Sequence, residues 1–74
     1  MTGVQKRSIS IRGHRTSYSL EQPFYDELLR IAEEKELPLA ALVAEIDAAR
    51  PRQSNLSSAL RVFVLDWVRG SRGQ

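Results

Sequence analysis

Two short stretches near the N-terminus alternate between apolar and polar residues. In Ser8-Ile9-Ser10-Ile11-Arg12 the apolar residues are odd-numbered. In Arg15-Thr16-Ser17-Tyr18-Ser19-Leu20 the positions fit for a core, Thr16, Tyr18 and Leu20, are even-numbered. Successive strand side chains face opposite ways, so each stretch predicts a strand with one inward face. A straight strand cannot change parity. Gly13 therefore marks a bulge or a turn, where either one strand kinks or two short strands meet.

The period then changes to that of a helix. Phe24, Leu28 and Ile31 line one face of a first helix over about Gln22 to Lys35, with Pro23 in its first turn, where a missing N–H does no harm. On another face Asp26 and Arg30 are spaced as an i, i+4 pair. Leu37-Pro38 ends this helix, because the residue before a proline is pushed out of the helical region. Leu39, Leu42, Val43 and Ile46 predict a second helix to about Ala48, followed by a polar break at Arg50-Pro51-Arg52-Gln53-Ser54. Asn55 is a good N-cap for a third helix over about Leu56 to Arg69. Its apolar residues lie nearly all round it, which predicts burial on several sides. The expected core is Leu20, Phe24, Leu28, Ile31, Leu42, Ile46, Leu60, Phe63 and Trp67.

Composition adds a constraint. The chain has 74 residues and no Cys. A domain this small is marginal alone, and neither a disulfide nor a conventional zinc site can support it. Association is the remaining route, so an obligate homo-oligomer is expected, a two-fold dimer above all. Two strand edges with unpaired backbone groups satisfy each other. The expected ribbon is accordingly antiparallel and two-stranded, formed between chains and centred near Ser17-Tyr18. No apolar run approaches a membrane span, and residues 1–12 lack a secretory signal, so a cytoplasmic protein is expected. The domain reading is a flexible basic arm over 1–7, the folded domain over 8–69 and a flexible tail over 70–74.

Charge is segregated. Residues 1–20 hold four Lys/Arg and no acid, whereas residues 21–36 hold six acids against Arg30 and Lys35. The strand face with Arg15, Ser17 and Ser19 is small, polar and cationic. A ribbon with such a face can enter a DNA major groove and offer donors to base edges. Nothing favours catalysis: there is no nucleophile–base pair, no paired carboxylates in an apolar setting and no Gly-rich phosphate loop. A lone His14 makes neither a metal site nor a catalytic pair. No enzyme activity and no cofactor are expected.

The order strand, helix, short break, helix resembles the ribbon-helix-helix family. Thr16-Ser17-Tyr18-Ser19-Leu20-Glu21-Gln22-Pro23-Phe24 looks like that family's passage from strand to helix. With Lys6-Arg7-Ser8, Gly13-His14-Arg15-Thr16-Ser17, Ala41-Leu42-Val43-Ala44-Glu45-Ile46 and Asn55-Leu56-Ser57-Ser58-Ala59-Leu60-Arg61-Val62-Phe63-Val64, the chain is similar to a short bacterial branch of the family over roughly residues 6–67. The resemblance implies an α+β, mostly α fold: a ribbon-helix-helix with an intermolecular ribbon and an additional C-terminal helix. It also implies that Arg15, Ser17 and Ser19 contact bases. Lys6, Arg7 and Arg12 then make sequence-independent phosphate contacts.

Two departures concern the phosphate anchor. Leu37-Pro38-Leu39 offers no side-chain hydroxyl, although its backbone amides can grip a phosphate. The break at residues 50–54 interrupts what is normally one helix, which brings Asn55 and Ser57 forward as alternative anchors. The function implied is sequence-preferring binding of double-stranded DNA by a homodimer, as a transcriptional regulator. The rival is a dimeric protein-interaction module, antitoxin-like or adaptor, without specific DNA binding.

Overall fold

The structure, a computed structural model, describes residues 3–72. The elements are β1 (Val4–Ile11), β2 (His14–Glu21), α1 (Gln22–Glu34), α2 (Leu39–Ala49) and α3 (Leu56–Arg72). This is the expected α+β, mostly helical class with an additional C-terminal helix.

Gly13 sits in a turn. Arg12 at φ 52° and Gly13 at φ 82° are both left-handed. Two positive φ values in a two-residue loop are the signature of a type I′ turn, whose twist matches that of the flanking strands. The strands pair antiparallel from Ile11–His14 through Ser8–Ser17 to Val4–Glu21. The change of parity is thereby explained: across this turn an odd residue of β1 lies opposite an even residue of β2. The ribbon is closed within one chain, where the sequence reading drew it between two. β1 starts at Val4, so residues 4–7 of the expected arm belong to the ribbon. α3 likewise continues through residues 70–72 of the expected tail. Residues 1–2 of that arm and residues 73–74 of that tail lie outside the described residues.

α1 ends in a Schellman motif. The Leu37 N–H donates to the Ala32 carbonyl at 2.9 Å and the Glu36 N–H to the Glu33 carbonyl at 3.0 Å. Such a cap needs a left-handed residue, and here Glu36 supplies it at φ 58°. Arg30 pairs with Glu27 and Glu34, while the expected partner Asp26 accepts from Gln22 instead. Pro38 is the extended N-cap of α2. α2 ends at Arg50, held extended before Pro51. Arg50 then staples the break by bonding the Asp47 carboxylate at 2.7 Å and the Ser54 carbonyl.

The core lies where one hairpin face meets all three helices. Leu20, Leu28, Ile31, Leu42, Val43 and Leu60 are almost wholly enclosed. Ile46 is buried too, and Ile11, Tyr18, Leu56 and Val64 extend the cluster beyond the expected set. Phe24, Phe63 and Trp67 were expected inside and are only partly buried against its rim. On α3 the buried row is Leu56, Leu60 and Val64. Phe63 falls to its side, and Trp67 lies one turn past it. Those two rings pack on each other with centroids 6.2 Å apart.

Candidate nucleic-acid interface

The hairpin separates two kinds of chemistry by face. Arg7, Ile9 and Ile11 of β1 and Tyr18 and Leu20 of β2 point toward the helices, the two β2 residues fully buried. Thr16, expected on this inward face, lies near the turn and is exposed. The outer face carries the cross-strand pairs Ser10–Arg15, Ser8–Ser17 and Lys6–Ser19. Lys6, Ser8, Ser10, Arg15 and Ser17 are exposed, and Ser19 is half-buried. Arg12 and His14 are exposed at the tip. The structure thus brings Arg15, Ser17 and Ser19 to one face, as alternation predicts, with Lys6 beside them.

Arg7 is placed elsewhere. It lies opposite Tyr18 on the inward face, with its guanidinium 3.5 Å from the centre of the Tyr25 ring. A cation over an aromatic face is held by the ring quadrupole. One of its terminal nitrogens donates to the Gln5 side chain at 3.0 Å, and its Nε is buried without a partner. The odd position of Arg7 in β1 makes this placement unavoidable, since it shares the parity of Ile9 and Ile11. Burial pushes the Tyr18 hydroxyl up, with Tyr25 adding to the effect and Arg7 opposing it.

The outer edge of β2 is tied to α3. The Ser19 N–H donates to Ser57 Oγ at 2.8 Å, and Arg61 donates to the Ser19 carbonyl at 3.3 Å. Arg61 Nε also donates to Glu21 Oε1 at 3.0 Å. That hydrogen bond is the main reason the Glu21 carboxyl lies below its ordinary range. Asn55 caps α3 by accepting from the Ser58 N–H at 2.7 Å. Asn55 and Ser57, read from sequence as alternative phosphate anchors, therefore hold the fold together here. Arg61 was not singled out from sequence. Its only signal is a cation on the half-buried flank of an amphipathic helix, and its acidic partner lies forty residues away.

Ser8 and Ser10 were missed as members of the outer face. The signal is Arg12-Gly13: read as a two-residue turn, it fixes the register and sets both serines beside Arg15 and Ser17. Among the described residues no group of His or acidic side chains is placed to hold a metal, and no helix is long and apolar enough to cross a membrane.

A family model described as a ribbon-helix-helix domain matches residues 4–68, which takes in both strands, α1, α2 and most of α3. No curated protein and no solved structure matches the chain.

Proposed function

The chain belongs to the ribbon-helix-helix domain family, and from that premise we propose that it binds double-stranded DNA as a homodimer, prefers particular sequences and regulates transcription. A domain of this family supports a DNA-binding regulatory or an antitoxin-like role, and such domains are typically non-enzymatic. The observation that carries the DNA reading is the outer face of the ribbon. Lys6 and Arg15 stand there among small hydroxyls, and Glu21, the acid at its far end, is paired with Arg61.

In this reading Arg15 is the main base reader, because a guanidinium bonds guanine bidentately, with Ser17 and Ser19 beside it. Lys6 and Arg12 contact phosphates. Arg7, turned inward over Tyr25, holds the ribbon instead. The dimer contact lies on α3, where Val62 and Leu65 are 56% and 49% exposed, on the side away from the core. A regulator of bacterial transcription works where the DNA is, which places it in the cytoplasm.

The antitoxin-like alternative draws on a groove between the end of α2 and α3, which borders the dimer face at Val62. Its lining of Ile46, Ala49, Pro51, Ala59 and Phe63 offers apolar surface to a protein.

The deciding experiment is a low-salt selection from a pool of random duplexes, followed by titration across salt. The DNA reading expects an inverted-repeat consensus, because two-fold symmetry presents the same face twice. It also expects an affinity that falls with salt as counterions are released. Retention of no duplex transfers the function to the groove.

A further inference from the structure

We propose that β1 is a second reading strand: Ser8 and Ser10 contact base edges alongside Arg15 and Ser17, so the hairpin of a single protomer reads DNA with both of its strands. This rests on the DNA-binding reading above and deepens it.

Three observations carry it. The first is the face itself. Lys6, Ser8 and Ser10 alternate with the inward Arg7, Ile9 and Ile11, so all three project with Arg15 and Ser17 and are exposed. The second is spacing. Ser19 turns its N–H and carbonyl outward to Ser57 and Arg61. By the alternation of an antiparallel ladder, Arg15 and Ser17 turn theirs to the same edge. Ser10–Arg15 and Ser8–Ser17 are therefore non-hydrogen-bonded pairs, the kind in which side chains stand closest. Across each pair the Cβ atoms lie about 5 Å apart. Along each strand the readers repeat about every 6.8 Å, close to two base-pair steps. A two-stranded ribbon fits a major groove about 12 Å wide.

The third is that these groups are unspent. Among the described residues, the side chains of Ser8, Ser10, Arg15 and Ser17 make no hydrogen bond or ion pair within the chain, unlike Arg7, Ser57 and Arg61. A hydroxyl both donates and accepts, so serine can answer several base edges. Being short, it also lets the backbone approach the groove floor. The charge is complementary as well, with Lys6 and Arg15 on the face and Arg12 at the tip.

The test compares selected motifs and affinities for the wild-type protein, Ser8→Ala, Ser10→Ala, the double variant and Arg15→Ala. Thermal melting of each variant is recorded alongside, and exposed serine-to-alanine changes on this face should leave the fold intact. The proposal expects the double variant to keep its nonspecific affinity and salt slope. Its specific-over-nonspecific ratio should fall about three- to tenfold, with preference relaxed at positions flanking those that Arg15→Ala relaxes. If the double variant selects the same motif with the same ratio while Arg15→Ala loses preference, the DNA reading stands and the second strand is overturned. If the wild-type protein retains no duplex at low salt, both fall together.

Discussion

Glu36 holds the left-handed position that ends α1, where a glycine is usual. An L-residue there places Cβ against the following carbonyl, at a cost of about 1–2 kcal/mol. The hydrogen bonds of the motif come from the backbone, so they survive loss of the side chain. Glu36→Gly should therefore raise stability by about 1 kcal/mol, offset in part by the extra freedom of glycine in the unfolded chain. Chemical denaturation measures this as a higher midpoint at constant slope, and a lower midpoint would show that the Glu36 side chain stabilises the turn. Gly13 is the converse case, a left-handed position already filled by the residue that suits it. Its role in the turn rests on φ alone, since a Cβ there would meet nothing within 4 Å. The residue scale also separates Arg7 from Lys6, adjacent cations sent to opposite faces by strand parity.

At the scale of elements, the join between β2 and α3 is polar. Ser57 and Arg61 reach across to Ser19 and Glu21, fastening the strand edge that a second chain would otherwise find open. Glu21 is depressed by its bond to Arg61. A depressed carboxylate contributes stability that is present above its unfolded value and lost as pH falls through its folded value. Acid should thus loosen α3 from β2 below the ordinary carboxylate range. Titration of the Glu21 carboxyl by NMR should show the depression, and Arg61→Ala should return it to the ordinary range. An unchanged titration in that variant would assign the shift to the backbone instead. The same element scale shows why a tight ribbon forms in one chain: the I′ turn brings β2 back onto β1 through a loop of only two residues.

Over the whole molecule, one side of α3 closes the core and the other leaves Val62 and Leu65 in water. The two residues lie three apart on one face and can meet their counterparts in a second copy. Sedimentation at micromolar concentration should show a dimer for the wild-type protein. Val62→Asp with Leu65→Asp should give a folded monomer with helical content retained, because neither residue is in the core. A dimer that survives both charges would move the interface elsewhere. Loss of the dimer should also weaken binding to an inverted repeat far more than to a single half-site, since linked sites gain from effective concentration.

The succession of elements was fixed by local rules that act along the chain. Alternation wrote the strands, the spacing of Leu28 and Ile31 wrote α1, Pro38 and Pro51 separated the helices, and Asn55 capped α3. The polar, cationic character of Arg15, Ser17 and Ser19 was equally legible, because strand parity assigns a face without reference to any neighbour. The partner of each face was decided only in three dimensions. Whether β2 pairs with β1 or with another chain depends on the backbone at Arg12-Gly13, and its left-handed geometry set Ser8 and Ser10 opposite Ser17 and Arg15. Phe63 and Trp67 matched the helical period yet stopped at the rim, because depth of burial depends on what packs opposite. The clasp of Arg61 on Glu21 joins residues too far apart in sequence for any period to link, so only the packing of α3 against β2 revealed it.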